Sequence, residues 1–352
     1  FMLIMDEVSE LLKRVFQTED HLTLAIAGTG SAGMEAGLNS LLEPDDTVIV
    51  CSVGFFGERM VEMAGRIGAK VVPLPADWGG PFPAELLEAE LKSHPNVKMV
   101  AAVHAETSTG IRQPLEDLSR LSKEHDTLFM VDAVTSLGGN EVAVDRWDID
   151  YCYSATQKCL ACPPGLSPVA LSPRAQDVMR NRRRKPTSWY LDLALLADYW
   201  TSERRYHHTA PVSMILALRE GLRIALEEGL EARFARHHRN ARALWAGLEA
   251  LELDLVAPER YRLDQITPVW IPDGIDDMVV RRALLRQHSI EIGGGLGEFA
   301  GKVWRIGLMG ESSKAENVLA LLAALESILP GLGYEVPQGA GVSAASRSLS
   351  GA

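Results

Sequence analysis

The chain has 352 residues, of which 47% are hydrophobic and 23% are charged, and its formal net charge is −12. This length and composition are typical of a globular protein with a large and a smaller domain. The acidic balance argues against nucleic acid as the main partner, because phosphate backbones bind basic surfaces. The sequence shows no apolar run of membrane-spanning length, so we expect no membrane partner.

The N-terminal residues and the cysteines indicate in which cellular compartment the protein is expected. Residues 1–5 are apolar but short, and the acidic amphipathic pattern after them is not that of a signal peptide. Four cysteines in a chain of this length predict a reducing compartment, so we expect a cytoplasmic protein. Cys159 and Cys162 have the spacing of a metal half-site, but no second pair completes it, and no metal site is predicted.

Apolar runs of strand length alternate with helical periodicities along the first half of the chain. Strands are predicted at 22–27, 47–53, 71–74, 97–103 and 128–132. This alternation predicts an α/β fold with a mainly parallel sheet covered by helices on both faces. Ligands of such sheets gather at the carboxyl ends of the strands, where several separate segments of this chain would meet.

A glycine-rich turn, Gly28–Gly33, follows the first strand and opens a helix. Free backbone N–H groups at a helix N-terminus form an anion site suited to phosphate. The same stretch matches the dinucleotide fingerprint, but the next strand ends without the acidic residue that binds a ribose, so a dehydrogenase is disfavoured. A plain tight turn remains an alternative.

The strongest pairing is between Asp132 and Lys158. Asp132 ends an apolar strand, where a carboxylate is costly without a fixed partner. Lys158 follows another apolar run and precedes the helix-stopping Pro163, so it is held at a turn. A partly desolvated lysine can form a Schiff base, and with a buried carboxylate it makes the pair that pyridoxal 5'-phosphate (PLP) requires. A solvated turn lysine is the alternative.

Three motifs resemble a known family: residues 131–139 (VDAVTSLGG), 154–158 (SATQK) and 206–209 (YHHT). They are similar to those of class V aminotransferases of PLP fold type I, and within them to alanine:glyoxylate and serine:pyruvate aminotransferases. The similarity runs from Ile4 to about Leu329. It implies a seven-stranded, mainly parallel sheet in a large domain and a smaller α+β domain at the C-terminus.

The resemblance also implies roles for individual residues. Lys158 would carry the cofactor and move the substrate proton, Asp132 would bind the ring nitrogen, and Arg305 would bind the substrate carboxylate. Cofactor contacts are implied for Thr29, Gly30, Ser31, Phe56, Thr107, Gln157, Tyr206 and Thr209. Tyr206 and Thr209 would reach the cofactor of the other subunit in a homodimer. Phe56 as a core aromatic, Thr107 as a loop residue and Arg305 in a structural salt bridge remain alternatives.

The domain limits follow from these patterns. We expect a large PLP-binding domain over 1–228, a small domain over 229–335 and, because Gly, Ala and Ser dominate after Pro337, a disordered tail over 336–352. Members of the resembling family carry an additional N-terminal arm with a Gly-Pro-rich segment. We therefore expect this chain to begin inside its gene product.

The resemblance implies an aminotransferase that moves an amino group from alanine or serine to glyoxylate or pyruvate. A ureidoglycine:glyoxylate aminotransferase is an open alternative, as is a non-catalytic PLP-binding protein. A PLP-fold lyase such as a cysteine desulfurase is disfavoured, because it needs a cysteine well after the lysine and the last one here is Cys162.

Overall fold

The structure is a computed structural model that describes residues 1–351. The helices are α1 (Met2–Phe16), α2 (Gly30–Leu41), α3 (Phe55–Ile67), α4 (Ala84–Ser93), α5 (Glu116–Glu124), α6 (Pro173–Arg180), α7 (Leu193–Trp200), α8 (Val212–Glu228), α9 (Leu230–Ala250), α10 (Asp277–His288), α11 (Ala315–Ile328) and α12 (Ala340–Ser350). The strands are β1 (Leu22–Ala27), β2 (Thr47–Ser52), β3 (Lys70–Pro75), β4 (Val97–Val103), β5 (Ala105–Glu106), β6 (Ile111–Arg112), β7 (Leu128–Asp132), β8 (Tyr151–Tyr153), β9 (Leu166–Leu171), β10 (Ile266–Trp270), β11 (Gly293–Gly294) and β12 (Val303–Gly307). Short 3₁₀ turns lie at Glu259–Tyr261, Gly297–Phe299, Gly310–Ser312 and Pro330–Leu332.

The large sheet has seven strands in the order β1-β9-β8-β7-β4-β2-β3. Only β9 is antiparallel to its neighbours, and the remaining pairs are parallel. Strand β7 is buried along its whole length and β4 at all but one residue, as expected for strands covered on both faces. The predicted seven-stranded, mainly parallel α/β sheet is confirmed.

A glycine in the first turn of helix α2 contacts this sheet directly. A Cβ at Gly33 would stand 2.1 Å from Ser167 Oγ on β9, a distance that no side chain tolerates. Tyr151 on β8 donates a 2.7 Å hydrogen bond from its hydroxyl to the carbonyl of the same glycine. The absence of a side chain at Gly33 therefore lets the first turn of α2 pack directly against β8 and β9.

A second hydrophobic core lies towards the C-terminus. Strands β10, β12 and β11 form an antiparallel sheet, and residues such as Val269, Trp304 and Leu322 are fully buried against it. Helices α8 and α9 meet at Gly229, which has a φ of 85°. We retain this glycine as the proposed boundary between the domains.

The structure differs from the expected disordered tail. Residues 340–350 form helix α12, which packs along α9 with Ala345 fully buried. The carboxylate of Glu326 accepts the N–H groups of Gly339 at 3.0 Å and Gly341 at 2.9 Å, and so caps the helix N-terminus. Small residues, read from composition as a sign of disorder, here let two helices approach closely.

The apolar segment 315–332 also departs from expectation. Its 18 residues have a mean hydropathy of 1.4 and pass a length and composition test for a membrane-crossing helix. In the structure, Val318, Leu322 and Leu325 of this segment are fully buried in the second core. A core helix passes the same test, and 39% of this segment is buried in the structure.

Candidate functional site

A cavity of about 300 Å³ opens where the strands of the large sheet end. It is lined by Thr29, Gly30, Ser31, Met34, Phe56, Arg59, Val103, Ala105, Thr107, Asp132, Val134, Thr135, Gln157 and Lys158. Eight of the eleven residues named from the sequence are among them. They come from the ends of β1, β2, β4, β7 and β8, as expected for a parallel sheet.

One end of the cavity is the N-terminus of α2. Thr29 is the N-cap residue, but its side chain makes no capping hydrogen bond, and no acidic residue lies in the first turn. Gly30 is buried, and a Cβ there would stand 2.7 Å from Val134 Cγ2. The Thr29 side chain therefore does not cap the helix, and the N-terminus of α2 faces the cavity. This is the arrangement that binds anions.

Asp132 lies on another wall, at the end of β7, and is only 4% exposed. Its Oδ2 accepts a 2.6 Å hydrogen bond from the Tyr153 hydroxyl, and its Oδ1 accepts one of 2.8 Å from the Val134 N–H. Burial raises the pKa of Asp132 to about 6 despite these bonds and the nearby charges of Lys158 and Arg59. Both hydrogen-bond donors are neutral, so the carboxylate has no bonded cation.

Lys158 lies in a tight turn after β8. The Thr156 hydroxyl donates to the Pro163 carbonyl at 2.7 Å, and the Ala161 N–H donates to the Lys158 carbonyl at 2.9 Å. The side chain is half-buried, and this burial lowers the pKa of Lys158 below its ordinary value. The positive charge of Arg305 acts in the same direction. A lowered pKa increases the fraction of neutral, nucleophilic amine.

Arg305 on β12 stands just beyond the lining residues and is bonded to one of them. Its Nε donates to the Gly294 carbonyl at 2.7 Å, and its Nη1 donates to the Thr107 carbonyl at 3.2 Å. Within residues 1–351 no carboxylate lies in ion-pair distance of its guanidinium, which disfavours the structural salt bridge. Burial lowers the pKa of Arg305, and part of its planar fork is free for an anionic ligand.

The first turn of α3 carries Phe56 into the cavity, and Glu106 holds that turn. The Glu106 Oε2 accepts the Phe56 N–H at 3.1 Å, and its Oε1 accepts the Ser108 N–H at 3.0 Å and hydroxyl at 2.6 Å. Glu106 is fully buried, and burial raises its pKa to about 7. This carboxylate therefore fixes both Phe56 and the loop that carries Thr107.

Tyr206 and Thr209 lie outside the cavity in the single chain. Tyr206 is 75% exposed, and its hydroxyl is 3.4 Å from Thr209 Oγ1. Their contact with a cofactor across a subunit interface stays a prediction.

Arg59 lines the cavity but is not among the site residues predicted from the sequence. Its signal was available, because it lies three residues after Phe56 and so on the same face of α3. Tyr153, the hydroxyl partner of Asp132, was also missed, since its contact depends on the pairing of β7 with β8.

A family model and the related sequences agree on one protein family for this chain. The Aminotransferase class-V family matches residues 1–302. The chain is 44% identical to (S)-ureidoglycine–glyoxylate transaminase of Bacillus subtilis over 93% of this chain and 82% of that protein. It is 40% identical to alanine–glyoxylate aminotransferase of Callithrix jacchus over 93% and 80% of the two chains.

Solved structures agree with these relatives. The crystal structure of the B. subtilis ureidoglycine–glyoxylate aminotransferase superposes with a TM-score of 0.97, covering 99% of this chain and 90% of the other at 44% identity. That of an alanine–glyoxylate aminotransferase from Nostoc sp. gives a TM-score of 0.91, covering 94% and 87% at 50% identity.

Proposed function

This chain belongs to the class V aminotransferases, and from that membership we propose that it moves an amino group from a small amino acid, alanine or serine, to glyoxylate or pyruvate. The family is PLP-dependent and its named relatives are transaminases.

The observation that carries the proposal is the unpaired carboxylate of Asp132. It is buried, held by two neutral donors and close to a half-buried lysine. A protonated ring nitrogen would supply the missing cation, and Phe56 would offer an aromatic face for the ring. The N-terminus of α2 would take the phosphate, with Gln157 beside it. The residues present therefore fit PLP.

When bound, PLP supplies an aldehyde that condenses with amines and a ring that accepts electrons. Lys158 would provide the amine that holds the cofactor. Once the substrate amine has replaced it, the released Lys158 amine would take the proton from the substrate Cα and deliver one to the Cα of the product amino acid when the reaction runs back with the acceptor. Asp132 would keep a proton on the ring nitrogen. Arg305 binds the substrate carboxylate through two parallel hydrogen bonds and so fixes the orientation of the Cα–H bond.

The relatives support glyoxylate as an acceptor, because it appears in the names of the B. subtilis, Callithrix and Nostoc proteins alike. They differ in the donor. Alanine is the donor named for two of them, whereas the 44% identity to the B. subtilis protein favours ureidoglycine as a second candidate. We place alanine or serine first and ureidoglycine second.

We further propose a homodimer in the cytoplasm. Trp189 is 62% exposed, Leu216 is 42% exposed and Ile224 is 47% exposed, and large apolar side chains of this kind favour coverage by a second copy. Tyr206 and Thr209 would then complete the partner's site. The four cysteines are free and buried, which is compatible with a reducing compartment.

Absorbance spectra of the purified protein test the function. We expect a PLP band that shifts on adding L-alanine or L-serine, and reversal of that shift on adding glyoxylate. The Lys158→Ala variant should lose the lysine-bound form, whereas Lys185→Ala, at an exposed lysine, should behave as the wild type. A shift with ureidoglycine alone would favour the second donor. A protein that stays colourless with added PLP would overturn the enzyme assignment.

A further inference from the structure

The cavity carries few positive charges for a cofactor with a phosphate group. The residues at the N-terminus of α2 and Gln157 are all neutral, and among the lining residues the cations are Arg59 and Lys158. The Lys158 amine is the group that condenses with the cofactor aldehyde under the proposed function. Arg59 is therefore the fixed cation of this cavity.

Arg59 is held at the phosphate end by contacts with two other lining residues. Its Nη1 donates a 3.1 Å hydrogen bond to Ser31 Oγ, in the first turn of α2. Its guanidinium carbon lies 4.9 Å from the centroid of the Phe56 ring and 5.2 Å from that of Phe55. Such a cation over an aromatic ring is attractive and keeps the side chain in place.

These contacts leave the charge of Arg59 available. Within residues 1–351 no carboxylate forms an ion pair with it. Because the Ser31 oxygen accepts from Arg59, the hydroxyl hydrogen of Ser31 is directed away from the guanidinium and can donate to an anion. The arginine thus both adds a charge and orients a neutral donor.

The Arg59 charge also acts across the cavity. Burial is the main effect on the pKa of Asp132 and raises it, and the positive charge of Arg59 is among the effects that oppose this rise. An ionised Asp132 is the form that binds a protonated ring nitrogen. Arg59 therefore favours the charge state required at each end of the cofactor.

We propose that Arg59 is a cofactor-binding residue that supplies the fixed positive charge for the PLP phosphate and positions Ser31 and Phe56 around it. This role rests on the proposed function, since it presumes that PLP occupies the cavity.

The test compares ligands with and without a phosphate on the cofactor-free protein. Dissociation constants for PLP, pyridoxal and inorganic phosphate are measured by fluorescence titration for the wild type, Arg59→Ala, Arg59→Gln and Arg66→Ala. Glutamine keeps a donor for Ser31 but removes the charge. Arg66 lies on the same helix, is exposed and pairs with Glu62, so its variant is the matched control.

We expect Arg59→Ala and Arg59→Gln to weaken binding of PLP and inorganic phosphate about 10- to 100-fold, the range for loss of a charged hydrogen-bonding partner. Pyridoxal binding should change less than about threefold, and Arg66→Ala should match the wild type. Equal weakening of PLP and pyridoxal, or unchanged phosphate affinity, would overturn the role of Arg59. Failure of the wild type itself to bind PLP would instead overturn the proposed function, and this role with it.

Discussion

Glu106 illustrates how one buried residue outside the cavity lining can hold the residues that form it. Both carboxylate oxygens accept from N–H or O–H donors, on the first turn of α3 and on the loop after β5. A neutral amide cannot satisfy this arrangement, because its NH₂ group would face another donor. Yet a buried carboxylate is costly, and burial raises the pKa of Glu106 to about 7.

These opposing demands predict a pH-dependent effect of Glu106→Gln. The native pKa lies above the ordinary value of 4.5, so the native protein holds a proton that the unfolded chain releases, and its stability falls as pH rises from about 4.5 through 7. Glutamine does not titrate. The wild type should therefore lose stability relative to Glu106→Gln as the pH rises from 5 to 8. The difference between their free energies of unfolding should change by about 2 to 3 kcal/mol at most.

Urea unfolding of the cofactor-free proteins at both pH values measures this difference, with Glu85→Gln, at an exposed position, as the control. At pH 8 the Glu106→Gln variant should be less active than the wild type despite its relative gain in stability. Phe56 and the loop of Thr107 lose the carboxylate that holds them in place. A difference in unfolding free energy that is the same at both pH values would contradict the account.

At the scale of elements, helix α12 was not predictable from local composition. Its run of Gly, Ala and Ser has the character of a flexible tail. The helix is stabilised by contacts distant in sequence, namely the Glu326 carboxylate at its N-terminus and its packing against α9 and α11, with Ala345 fully buried.

Substitution of Ala345 tests whether this packing contributes to stability. Ala345→Asp would place a carboxylate at a fully buried position of α12 and should lower the free energy of unfolding by about 3 kcal/mol or more. The neighbouring Ser346 is exposed, so Ser346→Asp should have little effect. Thermal and urea unfolding measure both. Equal, small effects of the two variants would mean that the tail is disordered, as its composition indicated.

The elements around the cavity were better predicted than their side-chain contacts. Strand β7 with its terminal Asp132, the turn of Lys158 and the glycine start of α2 carry strong local patterns, which is why the cavity could be located from the sequence. The helical spacing of Arg59 from Phe56 indicates that it lies at the cavity, but its bond to Ser31, like that of Glu106 to the Phe56 N–H, joins residues far apart in the chain. Local periodicity does not encode such pairings.

At the scale of the whole molecule, α8 presents apolar side chains outward. Val212, Leu216 and Ile224 are 45%, 42% and 47% exposed, and their spacing by multiples of four places them along one side of the helix. The exposed Tyr206 precedes this helix. The same surface would therefore both join two copies and deliver Tyr206 and Thr209 to the partner's cavity.

We expect the double variant Leu216→Asp/Ile224→Asp to be a monomer by light scattering and to bind PLP at least about tenfold more weakly, because the partner's contacts are lost. Leu86→Asp is the control, since Leu86 is similarly exposed on α4. A double variant that keeps both the mass and the PLP affinity of the wild type would place the dimer interface elsewhere.

Arg305 joins the two proposed domains through hydrogen bonds. It donates to Thr107 on one side of the proposed domain boundary and to Gly294 on the other. If the substrate carboxylate binds to Arg305 as proposed, its binding free energy would be linked reciprocally to the contact that Arg305 makes between the domains. Substitutions at Gly229, the proposed domain boundary, would then raise or lower the KM of donor and acceptor together, while the ranking of substrates would stay as it is.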